Sequence, residues 1–203
     1  SSVSVLVNLP GGFATKADYT TGSTPYAAAI GDLTGDGKPD LAVVSLDQSL
    51  VSILVNLGDG TFGARTDVAT CQSPQSVAMG DANGDGHLDL AVACSGPATV
   101  GVLMNRGDGS FVPRVDYATG TAPLSVAFAD MNGDGKADLA VVNQGSNSIS
   151  LLLNQGSGTF AARANYGTGL MPQFVAVSDM NGDGAPDLAV ANRGGGSVSV
   201  LLN

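Results

Sequence analysis

The chain has no tryptophan and no glutamate, and only one histidine and eight lysines and arginines among its 203 residues. The lone histidine, His87, joins no Cys/His or Ser/His arrangement. No base and nucleophile are paired in view, so an enzyme is not expected. The few cations form no basic stripe and are not interleaved with aromatics, which argues against nucleic acid as a partner. No apolar run approaches the roughly 18 residues of a membrane span. No signal peptide opens the chain, which starts mid-pattern at Ser1 as a mature or excised fragment would. A sustained helical period is also missing, and 29 glycines weigh further against helices. Cysteine is scarce as well. Cys71 lies in a turn before one strand and Cys94 ends the next antiparallel strand. A hairpin can bring this pair within disulfide reach in an oxidising compartment; two unrelated thiols are the alternative.

What is present is aspartate. All 18 acidic residues are aspartates, and the net charge is -10. Twelve of them fall in four copies of one nine-residue loop, repeated every 49 residues. Positions one, three, five and nine carry oxygen-bearing side chains: Asp32, Thr34, Asp36 and Asp40; Asp81, Asn83, Asp85 and Asp89; Asp130, Asn132, Asp134 and Asp138; Asp179, Asn181, Asp183 and Asp187. Position seven, occupied by Lys38, His87, Lys136 and Ala185, offers its backbone carbonyl. A glycine at position six (Gly37, Gly86, Gly135, Gly184) permits the sharp turn that aims these groups at one point. This is the spacing of an oxygen cage for a hard cation, calcium, with one ion per repeat. Four divalent ions would bring the charge of -10 to about -2, so the acidity reads as ligand charge. An EF-hand is excluded because position twelve is valine (Val43, Val92, Val141, Val190) and strands flank the loop. A metal-free turn is the plain alternative, opposed by the repulsion of three carboxylates. Thr34, in place of asparagine, predicts a weaker first site.

Strands surround each loop. Strand A precedes it (Ala27–Gly31, Ser76–Gly80, Ser125–Ala129, Phe174–Ser178) and strand B follows (Leu41–Val44, Leu88–Ala93, Leu139–Val142, Leu188–Ala191). Strand C ends in asparagine at Asn56, Asn105, Asn154 and Asn203. A Gly-rich turn leads to strand D, expected to start near Phe62, Phe111 and Phe160. Four short strands in about 49 residues is the pattern of a propeller blade. The fold class is all-β, a β-propeller of four four-stranded blades in a single domain over residues 1–203. Its units run at about 25–73, 74–122, 123–171 and 172–203, after amino-terminal strands in 1–24. Strand C also occurs near the start, at Ser4–Asn8, with a spare D near Phe13–Thr20, while the last unit has no D. Pairing of that spare strand into the final blade would close a ring. Completion by a second chain, as a homodimer with eight blades, and a larger propeller of which this is an excerpt stay open.

The Asp-x-Asn-Gly-Asp-Gly-x-x-Asp loops, the Asp-Leu-Ala-Val strands after them and the Gly-x-Gly-x-Phe turns (Gly58–Phe62, Gly107–Phe111, Gly156–Phe160) resemble FG-GAP/VCBS repeats. Those are the calcium-loop blades of integrin alpha-chain propellers and of some lectins. The resemblance covers nearly the whole chain. It implies a secreted or cell-surface, lectin-like or adhesion-type module that binds a glycan or an extracellular protein. A purely structural unit of a larger assembly is the alternative. Tyr19, Tyr117 and Tyr166 share one repeat position near the end of strand D. They are candidates for ligand contact, against packing between blades. Arg106-Gly107-Asp108 occupies the C–D turn, where only the arginine departs from the repeat.

Overall fold

The computed structural model describes residues 1–203, and every regular element in it is a strand or an isolated bridge. The amino-terminal segment contains β1 (Ser2–Val5), the two-residue strands β2 (Asn8–Leu9) and β3 (Gly12–Phe13), and β4 (Ala17–Thr20). Blade 1 is β5 (Pro25–Gly31), β6 (Asp40–Ser45), β7 (Leu50–Leu54) and β8 (Thr66–Ala69). Blade 2 is β9 (Pro74–Gly80), β10 (Asp89–Cys94), β11 (Thr99–Leu103) and β12 (Val115–Ala118). In blade 3, β13 (Pro123–Ala129), β14 (Asp138–Asn143) and β15 (Ser148–Leu152) are followed by a small hairpin, β16 (Asn154–Gly156) with β17 (Thr159–Phe160), and then β18 (Ala164–Gly167). Blade 4 has three strands: β19 (Pro172–Ser178), β20 (Asp187–Asn192) and β21 (Ser197–Leu201). Neighbouring strands within each blade pair antiparallel in sequence order.

Strand D begins about four residues later than the sequence suggests. Phe62 and Phe111 instead bridge back to Asn56 and Asn105, closing a tight turn before the chain can rejoin the sheet. That turn costs the intervening residues their place in the ladder.

Blades stack face to face, and the apolar pattern of strands B and C shows why. Both faces of strand B are covered, so it is buried along nearly its full length in blades 1 to 3. Between blades 1 and 2, Ala42, Val44, Val51 and Ile53 meet Val77, Leu90, Val92 and Leu103. Between blades 2 and 3, Ala91, Ala93, Val100 and Val102 meet Val126, Leu139, Val141 and Leu152. Ala140, Val142 and Ile149 of blade 3 meet Val175, Leu188 and Val190 of blade 4. Each fully buried valine or leucine here contributes about 1.5–3 kcal/mol. Small residues at the A-strand positions let β5, β9, β13 and β19 lie side by side in succession.

The ends do not pair. β4 takes β1 as its partner, with Ser4 opposite Asp18, and β21 pairs only with β20. The ring closure expected from terminal strand pairing is therefore not the arrangement in this structure. The reason is local: β1 and β4 form a half-blade whose Val3, Val5 and Tyr19 pack on Leu41, Val43 and Leu54 of blade 1. The result is an open arc.

Cys71 and Cys94 are disulfide-bonded, with Cα atoms 5.7 Å apart. The bond lies at the end of blade 2 away from the loop and joins the core between blades 1 and 2. At the matching positions the other blades place Gly22 against Ser45, Gly120 against Asn143 and Gly169 against Asn192. One pair of repeat positions thus faces itself in every blade, and only blade 2 makes it covalent. A bond separating 23 residues restricts the unfolded chain by about 3 kcal/mol. Reduction is expected to lower the urea-unfolding free energy by that amount, and equal midpoints with and without reductant would show the bond to be dispensable.

Candidate metal loops and the grooves between them

Each loop joins strand A to strand B of its blade and is tied by its own aspartates. The first aspartate gathers the amides that the turn exposes. Asp81 Oδ1 accepts from Gly84 N at 2.7 Å and Asp85 N at 3.2 Å, and Oδ2 accepts from Gly86 N at 2.9 Å. Asp32 does the same with Gly35 and Gly37, at 2.8 and 2.7 Å. These backbone bonds, Gly184 first and then Gly182, hold the Asp179 carboxyl below the usual carboxylate range. Gly86 sits at φ +87°, where a side chain would be strained.

The fifth-position aspartates face different neighbours. Lys38 Nζ donates to Asp36 and Lys136 Nζ to Asp134, each at 2.8 Å, and each lysine lowers its partner's pKa. In loop 2 the chief cause of the lowering at Asp85 is the backbone amide of His87, followed by the Asn83 side chain. Loop 4 has Ala185 in that place, so neither loop 2 nor loop 4 carries a competing ammonium. His87 contributes its amide, not its ring, to the loop.

The ninth aspartates are fully buried, and the structure gives them a second duty. Asp138 Oδ2 accepts from Met131 N at 3.0 Å and Oδ1 from Asn154 N at 2.7 Å. Asp40, Asp89 and Asp187 repeat both bonds. One carboxylate therefore pins the start of its loop to the end of strand C. Burial pushes the Asp89 and Asp138 carboxyls up, and the charges of Asp81 and Asp85, or Asp130 and Asp134, push the same way. That residual repulsion among hard oxygen donors is what a bound divalent cation would offset, so the donor set suits calcium. The carboxylates do not gather three at a time around one point in this structure.

The asparagine ending strand C is a functional residue that the repeat displays without revealing its role. Asn105 Nδ2 donates to Leu88 O of its own blade at 3.0 Å and to Leu33 O of the preceding loop at 2.8 Å. Asn154 reaches Ala82 O at 2.8 Å, and Asn203 reaches Met131 O at 2.6 Å. The amide latches each blade to the loop of the blade before it. Asn56, with no earlier loop beside it, bonds Pro39 O alone through Nδ2.

Successive loops leave grooves between them. One, of about 480 Å³, is lined by Asp81, Asn83, Asp130, Lys136 and Asn154. The next, of about 640 Å³, is lined by Asp130, Asn132, Asp183 and Asn203. Both offer carboxylate and amide hydrogen-bonding groups, and neither contains an aromatic ring.

The three repeat-position tyrosines lie elsewhere. Tyr19 stands edge-on to Phe62 and Tyr117 to Phe160, each pair with centroids 5.3 Å apart, so both serve the junction to the next blade. Tyr117 also borders a hollow with Asp116, Arg163 and Asn165. Tyr166 has no such phenylalanine and is half exposed, beside an apolar hollow that contains Leu188 and Leu201. Arg106 turns back to donate to Phe111 O, within its own turn.

A family model described as an FG-GAP-like repeat matches the chain three times, at residues 32–92, 81–141 and 130–190. No curated protein matches the chain. Among solved structures, a candidate 6-phosphogluconolactonase from Bacteroides uniformis is similar, with TM-score 0.72 and 18% identity over 100% of this chain and 61% of its own. A functionally unknown protein from Desulfotomaculum acetoxidans gives TM-score 0.70 at 18% identity, over 99% of this chain and 62% of the other. A lectin from Agrocybe aegerita, described as recognising non-reducing terminal N-acetylglucosamine, gives TM-score 0.57 at 24% identity, over 86% of this chain and 51% of the lectin. The chain thus spans between about half and three fifths of the length of these structures. At these identities the likeness speaks to fold.

Proposed function

Because the chain belongs to the FG-GAP-like repeat family, we propose that it is a calcium-stabilised extracellular binding module for a glycan or an extracellular protein. The observation that carries this reading is the repeated groove between neighbouring loops. Its volume lies within the range of small-ligand sites, and its carboxylate and amide groups suit the hydroxyls of a sugar. Calcium in the loops would fix the groove walls, because the loop that binds the ion is also the wall. The disulfide accords with an oxidising, extracellular setting. The similar lectin lends the idea of a glycan, and no residue of its site is carried over. The reading assigns no reaction to the chain.

A glycan array probed with calcium and again with chelator tests it. Calcium-dependent capture of a sugar class is expected, and substitution of Asn83 or Asn132 by alanine should abolish that capture without unfolding the chain. Capture that ignores chelator would detach the site from the loops. Silence on glycan and extracellular-protein arrays alike would leave the second reading, a structural unit of a larger assembly. One observation favours that second reading: blade 4 exposes an apolar face, with Phe174 and Val198 both more than 60% accessible.

A further inference from the structure

Blade 4 shows water the face that blades 1 to 3 each bury against a neighbour. Val198 and Val200 are 64% and 55% exposed, although Val51, Val100 and Ile149, at the position of Val198, are at 0%. Phe174 is exposed on the same sheet at 62%, and Ala191 beside it is also exposed. At the other end of the arc, β5 exposes Tyr26 and Ile30 at 59% and 69%. Ala28 beside them is exposed too, whereas Val77, Val126 and Val175 at its position are buried. The half-blade of β1 and β4 covers only the outer part of blade 1, because it has no A or B strand. Two incomplete surfaces of complementary kind therefore lie at opposite ends of one chain.

The strands at those ends are near duplicates. The stretch containing β1 reads Ser2-Val-Ser-Val-Leu-Val-Asn8, and that containing β21 reads Ser197-Val-Ser-Val-Leu-Leu-Asn203. In complete blades strand C bonds strand D through a serine: Ser52 Oγ donates to Asp67 at 2.9 Å and Ser150 Oγ to Asn165 at 2.8 Å. Ser4 does the same to Asp18 at 2.6 Å. Ser199 accepts from Gly169 N and Asn192 Nδ2 but has no D-strand residue to receive its proton.

We propose that a second copy of this chain docks head to tail on this face, with β21 of the first copy replacing β1 beside β4 of the second. Ser199 then donates to Asp18, and Val198 and Val200 take the places of Val3 and Val5 against Leu41, Val43 and Leu54. β19 and β20 supply the missing A and B strands over Tyr26, Ala28 and Ile30. Four further unmatched groups find partners by the repeat's own rules. Asn56 reaches the carbonyl of Met180, the counterpart of Leu33, Ala82 and Met131. Met180, 42% exposed where those three are buried, becomes covered. Tyr166 meets Phe13 of the second copy as Tyr117 meets Phe160; Phe13 is 69% exposed in the single chain. Two such junctions close a ring of eight blades, so the heterologous contact terminates. Within one chain the two ends stay apart, because β21 pairs only with β20, β4 pairs with β1, and both end faces are exposed. This inference is independent of the ligand reading.

The test is the solution mass of the 203-residue chain, with a cross-link to identify the strands. Light scattering is expected to give twice the 20.1 kDa of one chain. The V198D/V200D variant should run as a monomer with an unchanged circular dichroism spectrum. A variant with Ser199→Cys and Asp18→Cys should form a disulfide-linked dimer on a non-reducing gel, because the native cysteines are already paired. A monomer at every concentration overturns the proposal. A new bond formed within a single chain also overturns it, in favour of a four-bladed ring.

Discussion

Replacing Asp138 by alanine is expected to destabilise the chain by about 4 kcal/mol, whether or not calcium is present. Its carboxylate is fully buried and accepts from the amides of Met131 and Asn154. Hydrogen bonds to a charged group contribute about 1.5–3 kcal/mol each, and removing the acceptor strands two buried donors. Domains are stable by only about 5–15 kcal/mol in total, so the loss is a large share. For a chain of this length the thermal midpoint should fall by roughly 12 °C. Running the comparison in chelator isolates the clamp from any role as a metal ligand. A variant that loses stability in calcium but matches the parent in chelator would show that Asp138 works only through the ion.

Removing calcium should have the other large effect. For dissociation constants near those of extracellular calcium modules, about 10⁻⁴ M, millimolar calcium stabilises a site by about 1.4 kcal/mol. Four sites together reach about 6 kcal/mol, read as a fall in thermal midpoint on adding chelator. The sites should not be equal. Loop 2 and loop 4 have no lysine on the fifth aspartate, loop 3 has Lys136 there, and loop 1 combines Lys38 with Thr34. Binding is therefore expected to weaken from loops 2 and 4 through loop 3 to loop 1. A calorimetric titration fitted by one class of four equal sites would contradict that order. An unchanged midpoint in chelator would remove calcium from the account altogether.

These expectations divide between what the sequence displays and what only folding creates. The loops were legible because their causes are local: glycine at the positive-φ sixth position and first and fifth aspartates whose partners lie within five residues. The cysteine pair was legible in part, since a hairpin sets their approach, and the structure bonds them. The latch was not. Asn105 reaches Leu33 O from 72 residues away, and a backbone carbonyl has no letter in the sequence. The start of strand D was misplaced for a related reason, because Phe62 announces an apolar strand and is used as a bridge to Asn56. Closure of the ring was beyond reach for another reason. β1 and β21 read almost alike, so nothing local says which of them pairs with β4. The tyrosines show the limit of repeat position as a guide: Tyr19 and Tyr117 are spent on packing while Tyr166 is left exposed.

The asparagine latch fastens each blade only to its neighbour, one bond to a junction. Each asparagine latch runs from the end of strand C backward to the loop of the preceding blade, while Tyr117 donates forward to Gly158 O of blade 3. Blade 4 can be peeled away by breaking the bond of Asn203, leaving those of Asn154 and Asn105 in place. A pull from the amino-terminal side likewise breaks one latch, the bond that Asn105 makes into blade 1. Stacked units coupled only to their nearest neighbours unravel stepwise. Here the carboxyl-terminal blade, with three strands and Phe174, Val198 and Val200 exposed on it, is the one to fray first under heat or load.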